Sequence, residues 1–237
     1  DKFMLPIRLG TVNAKGPQDI ILFTLTRKGR VEPVNYRVKK IPSNEDLPIF
    51  VADEFGKFYK AMFAKVAKQE DYEVLFEEYA WNMNWCDPCA ADPLSNEQLR
   101  TLGVWWIDDM PGVPRPGGNR SMPPGGGPVE VFVTRLHARY TAESFPADIR
   151  LQETADKTNF QGRYVMRHPW RGDANCKQAG KYYQSLPQRF GKEAETLAKL
   201  TGWPMDEIRS KMEKNGQSFD IEENYEPVPW WKQIWPD

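Results

Sequence analysis

Between Pro111 and Pro128, twelve of eighteen residues are glycine or proline. Proline has no N–H to donate and glycine loses the most entropy on ordering, so this stretch can sustain neither a helix nor a ladder. It predicts an exposed, mobile insertion in an otherwise folded body. On either side the apolar residues repeat with short periods. Residues 3–12 and 19–27 read as strands, the second built on Ile20-Ile21-Leu22-Phe23-Thr24-Leu25. Lys28-Gly29-Arg30 is a turn, after which Val31 to Val38 pairs back as a hairpin, with Pro33 confining it to an edge or a bulge.

Residues 50–69 carry the clearest helical period: Val51, Phe55, Phe58, Tyr59, Met62, Phe63 and Val66 form one stripe, with Lys57, Lys60, Lys65 and Lys68 largely opposite. That stripe is a core face. Residues 72–81 suit a strand or a helix equally. Ser95-Asn96-Glu97-Gln98 is a capping box opening a short helix that Gly103 ends, and Val104 to Ile107 reads as a strand. Strands follow at 129–140, Ile149 to Glu153 and Gly162 to Arg167. Residues 188–201 and 204–214 read as two helices joined at Thr201-Gly202-Trp203. The predicted class is α+β: a mixed or antiparallel sheet, a core helix at about 50–69 and a helical C-terminal region. Residues 1–186 form the expected sheet-rich body, and 187–237 a helical hairpin with a tryptophan-rich tail packed on it.

The chain has 237 residues, enough for one sizeable core or two small ones. Its 32 basic and 33 acidic residues leave a net charge of −1, which gives no bulk attraction to nucleic acid. No apolar run approaches the roughly 20 residues that span a bilayer. Residue 1 is Asp and no signal peptide precedes the first strand, so the chain is expected to begin within a longer precursor. Of nine tryptophans, Trp105, Trp106, Trp230, Trp231 and Trp235 stand out as binding-surface candidates, because indole joins a large apolar face to one N–H donor.

Trp85-Cys86-Asp87-Pro88-Cys89 holds two of the three cysteines, with Cys176 the third. The stretch has three readings. As a redox couple it resembles the thioredoxin pattern, but Asp87 raises a neighbouring thiol pKa and Pro93 disfavours the following helix. As half of a metal site it needs His137 and His168, which stand 31 positions apart and far from finger spacing. As a structural pair it needs only an oxidising compartment. No cofactor is implied. There is no G-x-S-x-G, Gly-rich phosphate loop or H-E-x-x-H, and Glu77, Glu78, Asp108 and Asp109 read as solvated charges.

Several motifs together resemble a family. They include Leu5-Pro6-Ile7-Arg8-Leu9-Gly10, Gly16-Pro17-Gln18-Asp19, Tyr79-Ala80-Trp81 and Trp85-Cys86-Asp87-Pro88-Cys89. Phe132 to His137, Gln152 to Asp156, Asn159 to Tyr164, Arg167-His168-Pro169-Trp170, Leu200 to Trp203 and Trp230-Trp231 extend the resemblance along nearly the whole chain. The chain is similar to the C-terminal half of exported bacterial proteins catalogued only as a domain of unknown function. The resemblance implies an extracytoplasmic address, periplasmic, cell-surface or secreted. It also implies an N-terminal half with its own cysteines, able to partner the odd cysteine here, and no catalytic residue to carry over. The expected role is therefore a non-enzymatic binding or assembly protein. Its partners would be its own N-terminal half and another extracytoplasmic protein. The alternatives are an extracytoplasmic thiol–disulfide oxidoreductase using Cys86 and Cys89, and a metal-binding protein.

Overall fold

A computed structural model describes residues 2–83, 94–109, 130–170 and 177–219. It is α+β, as the periodicity predicts. Contacts divide the chain into two compact units: residues 1–41 with 67–162, and residues 42–66 with 163–237. The expected boundary at 186/187 falls inside a helix, α3 (Lys177–Thr201).

The first unit is built on a five-stranded sheet. β2 (Gln18–Thr26) runs antiparallel to β7 (Phe132–Tyr140), and β7 antiparallel to β6 (Val74–Asn82). The far edge of β6 is shared. β4 (Arg37–Lys40) pairs parallel with its first half, and β9 (Phe160–Gln161) antiparallel with its second. A smaller sheet, β1 (Lys2–Leu5), β8 (Ile149–Glu153) and β3 (Val31–Pro33), has β8 at its centre. Alternation sends Leu136, Ala138 and Tyr140 of β7 to one face, where they pack with Leu75, Val31, Ile149 and Leu151. Each buried leucine of this core contributes about 1.5–3 kcal/mol of hydrophobic stabilisation. A satellite cluster joins Leu99 of α2 (Asn96–Thr101) to Val104, Ile107 and Val131.

The second unit packs helices on a parallel pair, β5 (Glu45–Leu47) and β10 (Tyr164–Met166). Phe58 and Met62 of α1 (Phe55–Gln69) meet Leu47, Leu197 of α3 and Ile208 of α4 (Met205–Lys214). The Phe58 ring meets that of Tyr164 edge-on at 4.8 Å. Gly202 ends α3 at φ +79°, a conformation that costs side-chain-bearing residues about 1–2 kcal/mol.

Four local expectations change. Residues Ile7–Thr11 form a 3-10 turn rather than a strand, because Pro6 has no N–H for a ladder and Asp148 Oδ1 accepts the Arg8 N–H at 3.1 Å. Val31 to Val38 is no hairpin partner of β2. It splits after Pro33 into edge strand β3, on β8, and β4, on β6. Val104 to Ile107 is not a strand: Val104 and Ile107 are both buried, three residues apart, and a 3-10 helix starts at Trp106. α3 begins at Lys177 rather than at 188 and runs through Pro187. Residues 72–81 resolve as strand β6, and the Ser95 capping box forms as expected. The 111–128 insertion lies outside the described residues.

Candidate functional site

β6 puts two adjacent glutamates on opposite faces of the sheet. Glu77 stands in register with Lys40 on one side and Leu136 on the other, on the face that meets the smaller sheet. The register then slips between Glu77 and Tyr79, so that Glu78 and Tyr79 together oppose Arg135. Such a bulge re-aims a side chain, and here it turns Glu78 toward Arg135 and His137. Both glutamates are buried, at 4% and 5% exposure, not solvated as their sequence context suggested. They are tolerated because each meets a guanidinium from a neighbouring strand or turn, Arg30 for Glu77 and Arg135 for Glu78.

The Glu77 face opens into a pocket of about 370 Å³, lined by Arg30, Val31, Glu32, Tyr36, Lys40 and Leu136 among others. Arg30 is tied down on all sides. Its Nε donates to Glu32 Oε1 at 2.8 Å, its Nη2 lies 2.8 Å from Asp156 Oδ2, and its Nη1 lies 3.5 Å from Glu77 Oε1. Its backbone N–H donates to Asp156 O at 2.8 Å. Glu77 Oε1 accepts no hydrogen bond. Burial pushes the Glu77 carboxyl above the usual range, against the pull of Arg30 and Lys40. Tyr36 stacks on Phe145 at 4.2 Å and donates its hydroxyl to Ala147 O, which fixes that wall.

The opposite face carries a charged ladder. Arg139 grips Asp19 with two hydrogen bonds, Nε to Oδ1 at 2.8 Å and Nη2 to Oδ2 at 2.7 Å. This holds the Asp19 carboxyl below its ordinary range. His137 sits between two carboxylates, with Nδ1 2.7 Å from Glu78 Oε1 and Nε2 3.7 Å from Asp19 Oδ1. Arg135 Nε lies 2.6 Å from Glu78 Oε2, off the hydrogen-bond axis, and its guanidinium covers the Phe23 ring at 5.2 Å. The ladder spends its charges on itself, and none of these residues lines the pocket.

Residues 1–152 match the family described as an uncharacterized protein conserved in bacteria, DUF2330. The chain belongs to the DUF2330 family. The matched stretch contains every residue lining the pocket and the whole charged ladder. No curated protein and no solved structure matches.

Of the residues that sequence reasoning singled out as site candidates in this DUF2330 chain, Trp105, Trp106, His137 and His168 are described. Cys86, Cys89, Cys176, Trp230, Trp231 and Trp235 lie outside the described residues. Trp105 is 71% exposed and meets Trp106 edge-on at 5.9 Å. Trp106 is half-buried and donates its indole N–H to Glu130 O, so it anchors the satellite core. His137 is buried in the ladder of the first unit, whereas His168 is exposed in the second. Among the described residues no group of three or more His, Cys, Asp or Glu could hold a metal ion. No described helix is long and apolar enough to cross a membrane. Glu77, Arg30 and Tyr36 went unread as a site. The available signal was a pair of adjacent glutamates, Glu77 and Glu78, inside the apolar run of β6.

Proposed function

We propose that this protein is an exported, non-enzymatic binding protein whose ligand enters the pocket beside Glu77. The observation that carries the reading is the pocket itself. It has about 370 Å³, within the range of small-ligand sites, and mixes apolar walls with a few charged groups held on paired strands. Buried titratable groups with shifted pKa values gather at functional sites, and Glu77 is one. Export rests on the motif resemblance alone.

Chemical-shift mapping with a library of small polar fragments tests the binding reading. The amides of Val31, Val38 and Leu136 are expected to move first and saturably. Fragments that bind only elsewhere, or that are chemically converted, refute it. Fractionation of native cells tests the address, and finding the protein in the cytosol refutes export.

A further inference from the structure

Which ligand the pocket takes follows from its unsatisfied chemistry. Arg30 is the obvious anion receptor, yet Glu32 and Asp156 occupy its guanidinium at 2.8 Å each. Lys40 directs its ammonium over the Phe160 ring at 4.8 Å. The lining's own charges balance, Glu32 and Glu77 against Arg30 and Lys40, and Asp156, outside the lining, takes a further side of the Arg30 guanidinium. An anion would have to compete with Glu32 and Asp156 for the one guanidinium. The polar atom left over is an acceptor, Glu77 Oε1, buried and with no hydrogen bond. A single acceptor, approached by Arg30 Nη1 only at 3.5 Å, suits a compact ammonium better than the two-pronged fork of a guanidinium.

We propose that the pocket binds an organic ammonium group, which donates an N–H to Glu77 Oε1 and lays its alkyl stem along Val38, Tyr36 and Leu136. The inference rests on the binding role argued above. The ammonium is that of a small free amine or of a lysine side chain on a peptide, since both offer the same head and stem.

The test is an NMR titration of the full chain with three probes of one shape: n-butylammonium, butyrate and 1-butanol. A fourth probe is a capped Gly-Lys-Gly peptide, paired with its Nε-acetylated form. The expected result is that n-butylammonium shifts the amides around Val31, Val38 and Leu136 while butyrate does not. Glu77→Gln should weaken that binding at least about tenfold, the scale of one charge-assisted hydrogen bond. Glu77→Asp, which keeps the charge, should retain more of it. Binding of the lysine peptide but not its acetylated form assigns the ligand to a protein partner, and binding of the free amine alone assigns it to a small molecule. If butyrate or butanol occupies the pocket as tightly, or Glu77→Gln changes nothing, the ammonium assignment is overturned while the pocket remains a binding site. If no probe moves these amides, both readings fall.

Discussion

Replacing Glu77 with glutamine is predicted to stabilise the first unit above neutral pH. The side chain is buried, and its Oε1 accepts no hydrogen bond. An unpaired buried polar atom costs about 1–3 kcal/mol. The Arg30 contact offsets part of this, but at 3.5 Å it is longer than the 2.8 Å contacts the same guanidinium makes to Glu32 and Asp156, and those two carboxylates repel Glu77. Burial outweighs the attraction, since the Glu77 carboxyl lies above its ordinary range. The net cost is therefore below the full figure for an unpaired atom, on the order of 1 kcal/mol. The folded chain thus holds this proton more tightly than the unfolded chain does. The stability linked to protonated Glu77 is present below the ordinary glutamate range and is lost as pH rises through the raised value. Glutamine has the shape of the protonated form. The variant should match the parent near about pH 4 and exceed it by about 1 kcal/mol near about pH 8. For a chain of this size that is a Tm rise of about 2–4 °C. Because two units need not unfold together, the assay follows hydrogen exchange of β6 and β7 amides across pH, alongside thermal unfolding. A variant less stable than the parent by about 1 kcal/mol or more at about pH 8 would show that the Arg30 attraction wins. Glu77 would then be a structural ion-pair member rather than a binding group.

Three further outcomes are expected. Gln217→Ala should cost the second unit about 2–4 kcal/mol, because Gln217 is fully buried, donates to Glu193 Oε2 at 2.7 Å and accepts the Ile49 N–H at 3.0 Å; denaturant unfolding measures the loss. Asp19, held below its ordinary pKa by Arg139, stabilises the fold above the usual aspartate range and loses that contribution as pH falls through its lowered value; the stability gap between parent and Asp19→Asn should therefore shrink on acidification, and a gap that widens refutes the ladder. Cys86 and Cys89 are expected to be oxidised in native material, with loss of a bridge costing about 2–5 kcal/mol; a non-reduced mass map checks this, and two free, fast-reacting thiols would favour the oxidoreductase instead.

What was legible in the sequence was what local periodicity controls. The α1 stripe, the β8 limits, the capping box at Ser95 and the turn at Gly202 each depend on residues a few positions apart. Pairing was less legible. Val31 to Val38 lies next to β2 in sequence, yet its halves join strands formed by residues 149–153 and 74–82. The site depends wholly on such distant pairings. Arg30, Lys40, Glu77 and Leu136 come from four segments, and only the sheet register places Lys40, Glu77 and Leu136 in one row. The burial of Glu77 and Glu78 was hidden for the same reason, since their compensating cations lie on other strands or turns. Trp106, a binding-surface candidate by sequence, is half-buried, donates to Glu130 O, 24 positions away, and packs against a small core that includes Val131 as well as residues of its own segment.

A crystal structure of the full chain with n-butylammonium bound measures the central claim most directly. The prediction is a nitrogen within hydrogen-bond reach, about 3 Å, of Glu77 Oε1, with the alkyl stem against Val38 and Leu136. A structure in which Arg30 Nη1 closes onto Glu77 Oε1 as a full hydrogen bond, with no amine beside it, would contradict the account.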